Sequence, residues 1–139
     1  MKTLCLTSFF AAFLLLAGCS VLPPLTTAPE PSRNPAVVSL VDQAHSQSSA
    51  GQLEAAGGSL ERALRIEPRN PRLWQELARI RLDEGQYRQA ENLAAKSNAL
   101  AVDDGRLRAE NWRIIGQARS KSGDMAGAQA AFDRADLEE

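Results

Sequence analysis

The stretch 74–94, WQELARIRLDEGQYRQAENLA, decides the architecture. Trp74, Leu77, Ala78 and Leu82 fall on one helical face, Gly85 interrupts, and Tyr87, Ala90, Ala94 and Ser97 resume the same spacing. Two amphipathic segments divided by a glycine predict a helical hairpin. The stretch 112–132, WRIIGQARSKSGDMAGAQAAF, repeats it, with Trp112, Ile115, Gly116 and Arg119 before Gly123 and Ala128, Phe132 and Ala135 after. A more worn copy precedes both: Leu40, Ala44 and Gln47, then Gly51, then Ala56, Leu60 and Ala63, closing at Pro68. Pro71 and Gly105 read as further breaks between helices. Alternation rich in Val, Ile and Thr is absent from residue 36 onward, so the predicted class is all-α, with about three helical pairs.

The residue types explain how the pairs close. Ala44, Ala78 and Gly116 on the first helices and Ala56, Ala90 and Ala128 on the second allow close approach. Trp74, Trp112, Leu60 and Phe132 are expected to fill the space around them. The period of about 34 residues and these small residues resemble the tetratricopeptide repeat. That resemblance covers most of residues 37–137 and implies hairpins stacked as a short solenoid. It also implies a groove lined by the first helix of each pair, whose outward face would carry Val41, His45, Arg72, Gln75, Arg79, Arg113 and Gln117. Three arginines in that set suggest a preference for carboxylate-bearing groups, because guanidinium donates two parallel hydrogen bonds. The pattern of the carboxylate-clamp domains that bind chaperone tails is not reproduced, since Val41, Glu76 and Glu110 stand where polar or basic groups would be required.

Two features depart from a regular array. About four extra residues lie within Val102 to Arg108, where Asp103 or Asp104 is placed to cap a lengthened helix. The chain also stops two residues after Leu137, without the solvating helix that commonly ends such arrays, so exposure of Ala131 or Leu137 is expected.

The first twenty residues have a different character. Met1-Lys2 is followed by an apolar run from Leu4 to Ala17 and then by small residues, the layout of an export signal. The run falls short of the roughly 20 apolar residues that cross a bilayer. Leu16-Ala17-Gly18-Cys19 resembles the lipobox of bacterial lipoproteins, which implies cleavage before Cys19 and acylation of that cysteine. Ser20, in place of aspartate, implies sorting to the outer membrane with the domain facing the periplasm. Pro23, Pro24, Pro29, Pro31 and Pro35 mark a tether that buries little apolar surface and reaches about 50 Å at roughly 3.1 Å per residue. The expected organisation is therefore 1–18 signal peptide, 19–36 lipidated cysteine and tether, and 37–139 repeat domain.

Composition narrows the function. With 44% apolar residues and a net charge of −1, the chain has a globular composition, and its interleaved charges offer no basic patch for nucleic acid. Beyond Cys19 there is no cysteine, and His45 is the only histidine, so no metal-ligand spacing or nucleophile-base pair can be assembled. The expectation is a non-enzymatic binding protein with no cofactor other than the lipid on Cys19.

The whole layout of lipobox, tether and small terminal repeat domain resembles the LpoP-type outer-membrane lipoproteins. That resemblance implies a periplasmic class A penicillin-binding protein, a peptidoglycan synthase, as the partner to be activated. A pilotin or assembly scaffold for a secretion, pilus or other envelope complex is the alternative.

Overall fold

The computed structural model describes residues 32–138. They form six helices and no strand: α1 (Pro35–Ser49), α2 (Leu53–Ile66), α3 (Pro71–Asp83), α4 (Tyr87–Leu100), α5 (Gly105–Ser122) and α6 (Met125–Asp136). The expected signal peptide, Cys19 and residues 20–31 of the expected tether lie outside the described residues. None of the described helices is long and apolar enough to cross a membrane.

Local chemistry sets the helix ends. Asn34 and Asn70 accept from the backbone N–H groups of Ala36 and Arg72, at 3.0 and 3.1 Å, and each is followed by a proline at the first helical position. The missing proline N–H costs nothing there, and its fixed φ suits the helix. Pro35 and Ala36, assigned above to the tether, thus belong to α1. Between the helices of each pair the chain turns through a left-handed glycine, at φ 77° for Gly85, repeated at Gly51 and Gly123. Gly85 N–H donates to Leu82 and Gln86 N–H to Arg81, which satisfies carbonyls that the helix end would otherwise leave open. Gly105 is different. It opens α5 without a left-handed φ, and a Cβ there would lie 2.8 Å from the Glu138 carbonyl oxygen.

Packing follows the small residues. Ala44, Ala56, Ala78, Ala90 and Ala128 are at most 2% exposed, and the Phe132 ring occupies the place a Gly116 side chain would need, 2.5 Å from an added Cβ. One core joins Val37, Leu40, Leu60, Leu64, Leu73 and Leu77, and a second joins Leu82, Ala94, Ile114, Ile115 and Ala131. Leu60 fills the first as expected, while Trp74 packs at the margin of the first and Trp112 at the margin of the second, both partly buried. An indole N–H needs an acceptor, and Trp74 reaches one by donating to the Pro68 carbonyl at 2.9 Å. Trp112 is covered by the Arg134 guanidinium, 5.5 Å from its ring centre. Ala131 is buried against α5, while Leu137 is 82% exposed.

Neighbouring repeats are joined by charge as well as by apolar contact. Arg81 on α3 donates to Glu61 on α2 at 2.6 Å and to Glu84 at 2.7 Å; Arg119, at the same register position of the next repeat, donates to Glu91 on α4. Burial works against the Arg81 charge, but its two glutamates outweigh that and hold the guanidinium above its ordinary pKa. Between α3, α4 and α5 a polar relay is buried: Asn111 Nδ2 donates to Ser97 Oγ at 2.8 Å, and Ser97 donates to the Pro71 carbonyl at 2.8 Å.

The four extra residues have a definite use. Asp104 accepts from Leu107 N–H at 2.9 Å and starts an 18-residue α5, against 13 residues for α3. The added turn carries Arg108, which donates to the carbonyls of Ala101 and Val102 and to the Glu138 carboxylate at 2.7 Å. The last helix is thereby clasped to the inserted turn. Hydrogen bonding from Arg108 holds Glu138 below the usual glutamate range. Its contribution to stability is therefore fully present above the ordinary value of 4.5 and lost as pH falls through the depressed folded value. Glu138→Gln is expected to lower the unfolding midpoint at neutral pH, with the gap to the parent chain closing in acid. Thermal melts across that pH range check this, and a gap unchanged by acid would count against the clasp.

Candidate functional site

The first helices of the three pairs, α1, α3 and α5, share one face, and three depressions run end to end along it. The first, of about 270 Å³, is lined by Val38, Val41, His45, Arg72, Leu73 and Glu76, with Ser32, Asp42 and Asn70 at its rim. The second, about 250 Å³, begins at the same Arg72 and continues to Asp104, Arg106 and Glu110. The third, about 310 Å³, shares Glu110 and ends at Arg79, Asp83, Arg113 and Gln117. Residues from three helices thus form a single groove.

Polar and ion pairs run across this groove. His45 Nε2 lies 3.3 Å from Glu76 Oε2, Arg72 lies 3.9 Å from Asp104, and Arg79 lies 3.2 Å from Glu110. Glu110 also meets Arg106 at 3.7 Å and the Gln75 amide at 3.2 Å, which makes it the polar centre of the α3–α5 seam. The arginines therefore work against acids supplied by the neighbouring repeat. The half-exposed Arg79–Glu110 pair contributes little to stability, of the order of 0–1 kcal/mol, while Asp104 in the Arg72 pair is 6% exposed and less screened; both pairs fix the guanidinium planes in position.

Six of the seven groove residues expected from the sequence line these depressions: Val41, His45, Arg72, Arg79, Arg113 and Gln117. Gln75 does not. It is 4% exposed, turned into the α3–α5 seam by its bond to Glu110, and supports the groove wall instead of its surface. Val38, Asp42, Asp104 and Arg106 line the groove although the sequence reading did not place them there. A signal for one was available: Val38 stands 13 residues before Gly51, as Arg72 stands before Gly85. Cys19 lies outside the described residues. Among the described residues no group of three His, Cys, Asp or Glu side chains is placed to hold a metal.

Residues 48–109 match the tetratricopeptide repeat family. The globular C-terminal domain of P. aeruginosa LpoP is 39% identical, superposes with a TM-score of 0.73, and is matched over 99% of its length and 76% of this chain. The chain belongs to the LpoP-like tetratricopeptide-repeat proteins. Two other solved structures share the fold. The N-terminal domain of stress-induced protein-1 from C. elegans matches at TM-score 0.69 and 20% identity, over 74% of this chain and 84% of its own. The second TPR of Spaghetti, solved bound to an HSP90 peptide, matches at 0.66 and 23%, over 76% and 94%. No curated protein matches in sequence. The tetratricopeptide fold is a protein-binding fold, and in this LpoP-like chain its first-helix face is the one that carries the continuous groove.

Proposed function

We propose that this protein is an outer-membrane lipoprotein whose repeat domain binds and activates a periplasmic class A penicillin-binding protein, contributing no catalytic group of its own. The observation that carries the reading is the 39% identity across 99% of the LpoP domain. The lipobox at Cys19, the proline-rich tether and Ser20 agree with it in layout. In this reading the lipid fixes where the domain works, the tether sets how far it reaches, and the groove meets the synthase. Binding favours the active form of the partner only to the extent that the groove prefers that form.

Affinity capture from envelope extracts with the full chain tests this: recovery of a class A penicillin-binding protein supports it, and recovery of secretin or pilus components in its place would sink it. The groove is tested by Arg72→Glu, Arg79→Glu and Arg113→Glu combined. The side chains of Arg72 and Arg79 are 41% and 49% exposed, but their partners Asp104 and Glu110 are 6% and 33% exposed, so the reversal also sets like charges across the α3–α5 seam, and a thermal melt is read alongside capture. Partner capture is expected to fall by about tenfold or more, because reversing charges opposite a complementary surface creates repulsion as well as losing attraction. Circular dichroism would confirm retained helicity, and unchanged capture would remove this groove as the binding surface.

A further inference from the structure

Aligned on Gly51, Gly85 and Gly123, the repeats place Val38, Arg72 and Glu110 at one register position and Val41, Gln75 and Arg113 at another. Repeats two and three fill both positions with polar groups, among them Gln75 bonded to Glu110 and Arg72 paired with Asp104. Repeat one has valine at both. Val38 is 41% exposed although it is a large apolar residue, and with Val41 and Leu73 it floors the first depression. A valine held open to water at a position where the next repeat has arginine gains nothing for the fold, and an apolar hollow with a polar rim is the common form of an anchor pocket.

Charge changes along the same groove. Asp42 and Glu76 stand at the apolar end, with His45 against Glu76. Toward repeat three, Arg79, Arg106 and Arg113 alternate with Asp83, Asp104 and Glu110. The groove thus runs from an apolar hollow, where Asp42 and Glu76 outnumber Arg72, to a charged stretch in which three arginines stand among three acids. With packed helices about 8–10 Å apart, the two steps from α1 to α5 span about 20 Å. An extended strand covers that length in about six residues.

We propose that the groove takes an extended segment of its protein partner in one direction only. A bulky apolar side chain enters the Val38–Val41–Leu73 hollow, a basic residue beside it meets Asp42 and Glu76, and an acidic residue about six positions away meets the arginines of repeats two and three. This rests on the groove being the partner-binding surface, and it adds the chemistry and polarity of what binds. The direction follows from charge complementarity, which selects register more than it adds affinity.

The test is selection from a random twelve-residue peptide display library on the full chain, alongside the Val38→Arg variant. That variant puts into repeat one the residue repeat two already has at this position, so the fold accommodates it, as a thermal melt would verify. The expected result is enrichment of sequences with Leu, Ile, Phe or Met next to Lys or Arg and with Asp or Glu about six positions away. The best enriched peptide should bind Val38→Arg at least tenfold more weakly. No enrichment, a consensus without the apolar anchor, or equal binding to the variant would each overturn the proposal. Synthase capture is scored separately. The expected peptide pattern without synthase capture would retain this groove chemistry and remove the synthase; capture insensitive to Val38→Arg, without the pattern, would do the reverse.

Discussion

Leu60→Ala is expected to destabilise the domain by about 2–5 kcal/mol, the range for deleting a large buried aliphatic side chain. Leu60 is 1% exposed and sits on α2 among Val37, Leu40, Ala44, Leu64, Leu73 and Leu77, so it joins α1, α2 and α3 at once. The cost should fall in the upper part of that range because the walls cannot close on the cavity. Ala44, Ala56 and Ala63 are already at most 1% exposed, and small side chains have no reach with which to fill a neighbouring space. A domain of this size has about 5–15 kcal/mol in total, so the loss is a large share of it. Among the described residues, repeat one has a neighbouring repeat on one side only. Repeat stability is roughly a sum of each hairpin and its interfaces, so α1 and α2 should open before α3 to α6. Urea denaturation measures the total, and hydrogen exchange should find protection lost first in residues 35–66. A change below about 1 kcal/mol, or uniform loss of protection, would contradict this account of the core.

Cys19→Ser is expected to move the protein from the membrane pellet to the soluble fraction, with Cys5→Ser as the neutral control. Each buried methylene contributes about 0.8 kcal/mol, a single acyl chain gives only reversible attachment, and a lipoprotein cysteine carries two or three. Losing the thiol removes the first acylation and with it the anchor. The described residues offer no substitute, since none of their helices is long and apolar enough to span a bilayer. Membrane fractionation with mass measurement of the mature N-terminus decides this. Continued pelleting of the serine variant, or a mature chain beginning elsewhere than residue 19, would remove the lipoprotein reading.

Both substitutions concern features legible without a structure, but for different reasons. The reading of Cys19 as a lipidation site rests on contiguous residues alone, because processing enzymes read a linear segment. Leu60 is recognised from periodicity, because helical spacing alone puts it on the same face as Ala56 and Ala63. The groove was partly legible for the same reason: positions at fixed distances from Gly51, Gly85 and Gly123 point the same way in each repeat. Gln75 was misplaced because its register position matches Val41 and Arg113, which do line the groove, while its own amide is drawn inward by Glu110, 35 residues away. The tryptophans pack against the two cores, as their size and spacing imply, while staying partly exposed, and the Trp74 indole finds its acceptor at the Pro68 carbonyl.

The amino-acid sequence by itself determined the helical pairs, the glycine turns, the aspartate cap of the lengthened helix and the tight pairing of helices within each repeat. These depend on interactions within a few residues or on a period the chain states three times. Tertiary structure alone decided the pairing of Arg79 with Glu110, of Arg119 with Glu91, and of Arg108 with Glu138, and the continuity of the groove through Arg72 and Glu110. Such partners lie about thirty residues apart, and which charges meet depends on how one hairpin stacks on the next. At the second junction that stacking is set by a four-residue insertion, whose effect on the length of α5 and on the clasp at Glu138 emerges only when the helices are packed.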